Sequence, residues 1–152
     1  MRSFTLAAIL AFALTAVPTA AGQGYETTPD PGITNGAKQR ALSSARKTWK
    51  RQSVPSYTYN LSVNCFCPPT TNVKIVVRNG LPAKGTSKNL LAQATVPRLF
   101  KTIQVAIDDK VSKLVVTYGK RGVPRAIYID GSERVADDEV GYIIRGFAPL
   151  KR

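Results

Sequence analysis

Cys65 and Cys67 stand one residue apart in Asn64-Cys65-Phe66-Cys67-Pro68-Pro69 and are the only cysteines in the chain. Thiols so spaced can close a local bridge, lie buried as two small apolar groups, or serve redox or soft-metal chemistry, with Cu(I) the ion that two thiolates suit. On an extended strand both sulfurs share one face near the outer limit for a disulfide, so bridging demands a bend, which the paired prolines can supply. Histidine is absent from the sequence. The commonest general base is therefore missing, and Ser-His-Asp and Cys-His hydrolases are excluded. Two cysteines with no second pair cannot complete a zinc site. The chain reads as a non-enzyme that needs no cofactor and no metal.

Five of the nine acidic residues fall within a stretch of ten: Asp130, Glu133, Asp137, Asp138 and Glu139. Their spacing does not match the Asp-x-Asp-x-Asp-Gly calcium loop. In so basic a chain they are expected to pair with Arg134, Arg125 or Arg145 and to shape the connection before the last strand. A third reading is a catalytic carboxylate pair within Asp130 to Glu139, which could do glycosidase chemistry across a cleft and predicts a concave pocket there, although a small open sheet supplies no evident cleft.

The charge balance points to a partner. Lys and Arg number 22 against 9 Asp and Glu, a formal charge of +13. Arg2 precedes the run Phe4-Thr5-Leu6-Ala7-Ala8-Ile9-Leu10-Ala11-Phe12-Ala13-Leu14, an apolar segment too short to span a bilayer and shaped like a secretory signal. Pro18 breaks it, and Thr19-Ala20-Ala21 offers small residues for cleavage after Ala21 or Gly22. Residues 1–22 therefore read as a signal peptide, and the mature protein as secreted and extracellular with no transmembrane anchor. Outside a cell, the anions that suit so basic a protein are polysaccharides, phospholipid headgroups, mineral or acidic proteins, and nucleic acid is an unlikely partner.

Residues 23–36 are polar and rich in turn formers, and read as a flexible N-terminal segment. Residues 37–150 then fit a single compact domain with a core of its own. Over Ala37 to Arg51, Ala41, Leu42, Ala45 and Trp49 gather on one side of a helix, with Arg40, Arg46, Lys47, Lys50 and Arg51 on the other. Tyr57 to Cys67 alternates strictly and predicts a strand, with Tyr57, Tyr59, Leu61 and Val63 on the inner face. A second strand is expected over Val73 to Arg78, closing on Asn79-Gly80, and a weaker extended piece around Leu81 to Ala83. Thr95 can cap a second helix carrying Val96, Leu99, Phe100, Ile103 and Ile107 on one stripe. Three further strands are expected over Lys113 to Tyr118, Val123 to Asp130 and Gly141 to Phe147. The reading is an α+β fold: two amphipathic helices on one face of a mostly antiparallel sheet of about five strands.

The uncovered face would carry Thr58, Asn60, Ser62, Asn64, Phe66, Lys74, Val76, Arg78, Thr117, Tyr128 and Arg145. Lys74, Arg78, Tyr128 and Arg145 are its candidate binding residues, because cations beside an aromatic face suit sugars, anionic polymers or an acidic protein. Inhibition of a secreted enzyme is a second role for the same surface. The competing reading is a redox or soft-metal-handling protein centred on Cys65 and Cys67. Asn60-Leu61-Ser62 is a glycosylation sequon on that outer face.

Tyr57-Thr58-Tyr59, Cys65-Phe66-Cys67-Pro68, Ile127-Tyr128-Ile129-Asp130 and the run Val135 to Tyr142, which holds Ala136-Asp137-Asp138-Glu139 before Gly141-Tyr142, together resemble a family of small exported proteins catalogued as a domain of unknown function. The resemblance spans residues 37 to 149. It implies export and a compact α+β domain, and it carries no activity. Where the family tends to place acids in the second helix, this chain has Pro97, Arg98 and Lys101, so a charge-based role would differ here.

Overall fold

A computed structural model describes residues 28–68 and 70–151. The signal peptide read at residues 1–22 lies outside them, as do residues 23–27 of the segment expected to be flexible. In chain order the elements are α1 (Pro31–Thr34), α2 (Ala37–Arg51), β1 (Tyr57–Cys65), β2 (Thr70–Arg78), β3 (Leu81–Pro82), a 3-10 turn (Lys88–Gln93), α3 (Val96–Asp108), β4 (Lys113–Tyr118), β5 (Pro124–Asp130) and β6 (Val140–Pro149). The strands form one sheet in the order β3-β2-β1-β6-β5-β4. Every pairing in it is antiparallel. The architecture is α+β. Among the described residues no helix is long and apolar enough to cross a membrane.

The sheet has six strands where about five were expected. The sixth, β3, falls on the weak extended piece expected around Leu81 to Ala83; it is two residues long and pairs only with Val77 and Arg78. Asn79 and Gly80 both take positive φ, the geometry that folds a tight hairpin back on itself. β2 also starts three residues earlier than its alternation suggests. A register shift between Leu61 and Val63 brings Thr70 opposite Val63. Asn72 turns left-handed within the bulge, and its amide donates to Ser62 Oγ at 2.9 Å.

The core is a single cluster to which both long helices and the sheet contribute. Leu42 and Ala45 enter from α2, Leu99, Phe100, Ile103 and Ile107 from α3, and Tyr57, Tyr59, Leu61, Ile75, Val77, Leu114, Ile127 and Ile144 from the strands. Thr58, Asn60 and Ser62 alternate with the buried residues of β1 and are half-exposed. Trp49 packs edge-on against Tyr57 and Phe147, with ring centroids 5.3 and 5.7 Å apart. Ala41 is exposed, so the apolar stripe of α2 is narrower than its sequence suggests. Arg46 does not face water alone: its guanidinium donates to Gln104 Oε1 at 2.9 Å and to the Phe100 carbonyl at 3.2 Å, tying α2 to α3.

The Tyr-Thr-Tyr pattern of β1 has a structural use. Both rings are buried, and each hydroxyl serves backbone that leads into α3. Val96 N–H donates to the Tyr57 hydroxyl at 2.9 Å, and the Tyr59 hydroxyl donates to the Gln93 carbonyl. Thr95 Oγ1 accepts the Arg98 amide and completes the cap. Desolvation raises the pKa of both tyrosines, outweighing the Val96 amide bond at Tyr57.

Residues 30–36 correct the expectation of a loose leader. Asp30 is buried and caps α1, accepting the Gly32 amide at 2.6 Å. Its second carboxylate oxygen accepts the Leu114 amide at 2.9 Å, and its own amide donates to the Val111 carbonyl. The segment thus meets the start of the β4 edge, pairing the Leu114 amide there; unpaired edge amides invite association with another strand.

Candidate functional site

The four residues singled out for binding do not form one site. Lys74 and Arg145 flank Asn60 on either side, because Asn60 is paired with both. Neighbouring strands lie about 4.8 Å apart, so the two cations stand within roughly 10 Å of each other on the exposed face. Arg78 is four residues further along β2, opposite Leu81. Tyr128 faces Gly141 at the opposite end of the sheet, where Lys113 Nζ lies 5.7 Å from its ring. The sequon residue Asn60 is half-exposed between the two cations.

Arg145 belongs to a second grouping that sequence reading did not assemble. A recess of about 550 Å³ lies between the β4–β5 turn and the end of β6, lined by Lys120, Arg121, Arg125 and Arg145. Its apolar floor includes Val123, Ile144 and Phe147, and its lining contains no acid. Three local features build it. Gly122 takes φ +77 and lets the turn approach α2, so closely that a Cβ there would press on the Ala45 carbonyl. A register shift between Thr117 and Tyr118 bulges β5 at Arg125, whose side chain lies over Gly119. Gly146, at φ +60, sits in a second bulge where β6 shifts register against β1. Arg121 is steadied by Gln52 Oε1 at 2.7 Å, while Lys120, Arg121, Arg125 and Arg145 are all exposed. Four cations lining one concave surface leave it positively charged, and bulges are the devices that re-aim side chains in this way. The available signal was the pair Lys120-Arg121 inside a glycine-bounded turn. Which strand end that turn would meet is a long-range fact.

The expected pairing of the acid stretch with Arg134, Arg125 or Arg145 does not form. Among the described residues the one ion pair joins Lys38 and Asp30, at 3.6 Å. Asp130 accepts the Ser112 hydroxyl instead, and Asp138 Oδ1 is buried without a hydrogen-bond partner among the described residues. Asp137 and Glu139 border a depression of about 270 Å³ with Asn64, Cys65, Phe66, Tyr128 and Gly141. The Cys-Phe-Cys, Tyr-Ile-Asp and Ala-Asp-Asp-Glu patterns therefore meet at one end of the sheet. Partial desolvation and then the carboxylates of Asp130, Glu139 and Asp138 push the Tyr128 hydroxyl above its usual pKa.

Cys65 and Cys67 are in close contact through their sulfurs, with Cα atoms 5.2 Å apart. The required bend is present: β1 ends at Cys65, and the Cys67 amide donates to the Cys65 carbonyl at 2.7 Å. Phe66 is thrown outward and is 82% exposed. Among the described residues no group of three or more His, Cys, Asp or Glu side chains is placed to hold a metal ion.

Residues 41–149 match a family of unknown function, DUF6174, and the chain belongs to that family. No curated protein and no solved structure matches it.

Proposed function

We propose that this is a secreted, non-catalytic binding protein that holds an anionic extracellular partner in the recess between the β4–β5 turn and β6. One observation carries the reading: Lys120, Arg121, Arg125 and Arg145 converge on one concave surface whose lining has no carboxylate. Lys74 extends the positive surface across β1 and β2, so a chain-like anion such as an acidic polysaccharide can run from the recess along the face that the helices leave free. A lipid headgroup surface, a mineral surface or the acidic patch of a secreted enzyme would meet the same cations. A glycan on Asn60 would stand between Lys74 and Arg145 and limit this path. Secretion fits the signal-like residues 1–22 and the bridge between Cys65 and Cys67, a bond that persists in oxidising surroundings.

The test is binding of the mature protein to heparin-like polymer across a salt series. Affinity is expected to fall steeply as added salt shortens the screening length. Arg125→Glu with Arg145→Glu is expected to weaken binding at low salt by about tenfold or more, at up to about 1 kcal/mol per exposed contact removed. Absence of binding at low ionic strength, or full affinity in the double variant, would refute the reading.

A redox role at Cys65 and Cys67 is the second reading, supported by the exposure of Cys67 at the sheet end. Equilibration with glutathione buffers followed by alkylation and mass measurement tests it. A bridge that stays closed throughout the glutathione range would remove it.

A further inference from the structure

Away from the cationic recess, the outer side of α3 forms a groove of about 610 Å³ with the 3-10 turn and β5. Leu91, Val105, Ala106, Val111 and Ile129 give it an apolar lining, and Arg98 and Lys101 stand along it. Leu91 and Val105 remain 37% and 46% exposed, so these two are left unsatisfied by the fold itself, over a floor of the buried Ala106 and Val111. Charge is distributed unevenly along the groove. Arg98, Lys101 and Val105 follow one stripe of α3 at helical spacing, and its C-cap Asp109 continues it. The two cations occupy its N-terminal half and the lone acid its C-terminal end, about 12 Å beyond Lys101 at 1.5 Å per residue. Arg98 is held in place by a 2.6 Å bond to the Leu91 carbonyl, which uses one of its five donors. Lys101 makes no ion pair among the described residues.

We propose that this groove binds a long-chain carboxylate, a fatty-acid-like anion whose head sits at Arg98 and Lys101 and whose alkyl chain lies along Val105, Ala106, Val111 and Ile129. Charge complementarity selects the occupant. An apolar trough with cations at one end desolvates a hydrocarbon chain and pairs its single anionic end, while the acid at the far end disfavours a second one. A polyanion lacks the apolar body to fill it, so this site and the cationic recess take different ligands.

The experiment is titration of the mature full-length protein with a fluorescent fatty acid, followed by displacement with dodecanoate and with dodecanol. Saturable binding is expected, displaced by dodecanoate at concentrations at least about tenfold lower than by dodecanol. Lys101→Glu and Val105→Glu, both at exposed positions, are expected to weaken binding about tenfold each. Arg125→Glu with Arg145→Glu is expected to leave it unchanged while weakening heparin binding, so failure of one site is distinguishable from failure of the other. Equal displacement by acid and alcohol would overturn the proposal, as would binding unmoved by Lys101→Glu and Val105→Glu. Binding seen only with anionic vesicles and not with monomeric fatty acid would place the partner at a membrane surface and overturn it too.

Discussion

Replacing Asp30 with alanine removes the side-chain hydrogen bond that joins the N-terminal segment to the edge of the sheet. Leu114 is fully buried, and its amide points off β4 at the Asp30 carboxylate, 2.9 Å away. Alanine would leave that amide without a partner, at a cost of about 1–3 kcal/mol. Losing the Gly32 contact removes a helix cap and adds about 1 kcal/mol. The Lys38 pair adds little, because its nitrogen is 3.6 Å away on a side chain 29% exposed. The total is about 3 kcal/mol, which at roughly 4 °C per kcal/mol lowers Tm by about 12 °C. Asparagine keeps an acceptor without the charge and should cost about 1 kcal/mol.

The acid dependence has a definite sign. Burial acts to raise the Asp30 pKa, but the Leu114 and Gly32 amides and Lys38 outweigh it, so the folded value lies below the ordinary 3.8. Its contribution is then fully present above about pH 4 and is lost as pH falls through the folded value. Thermal unfolding followed by circular dichroism at pH 7 and below pH 3 should show the gap between the parent and Asp30→Ala narrowing in acid. A Tm change under about 3 °C at pH 7, or a gap that widens in acid, would refute the account of this carboxylate.

Two other substitutions test how the fold is held. Gly122→Ala would combine a left-handed backbone with a Cβ pressed on the Ala45 carbonyl and should cost about 3 kcal/mol or more, whereas Gly80→Ala, with φ +79 and open space around it, should cost about 1 kcal/mol. Equal losses in denaturant titrations would show that the close approach to α2 contributes nothing. Cys65→Ser with Cys67→Ser opens a ring of only three residues, so loop entropy predicts a loss of no more than about 2 kcal/mol. A loss above about 4 kcal/mol would mean that the bridge organises the neighbouring depression as well as closing its own turn.

The elements that could be read from sequence are those whose signal is local. Tyr57, Tyr59 and Leu61 alternate with polar residues, and a period of two leaves little choice but a half-buried strand. Thr95 followed by a 3.6-residue apolar stripe marks both the start and the buried side of α3. Asn79-Gly80 marks a hairpin because few other pairs accept its backbone angles. β3 has only two residues, too few for a period, so its signal is only the weak extended piece after the Asn79-Gly80 turn. Arg46 sits on the polar arc of α2, and nothing near it in the chain announces that Gln104, 58 residues away, will receive it.

Sequence by itself determined the class of the fold, the absence of histidine, the positive charge and the spacing of the two cysteines. Tertiary structure decided how the charges are grouped. Arg145 and Arg125 were separately visible, but only the two bulges and the approach of Gly122 to α2 bring them to one recess with Lys120 and Arg121. Asp30 looked like part of a loose leader because its partner is 84 residues away in sequence. The physical reason is the same in both cases. Periodicity reports which way a side chain points, whereas ligand sites and buried polar bonds depend on which distant backbone arrives opposite it.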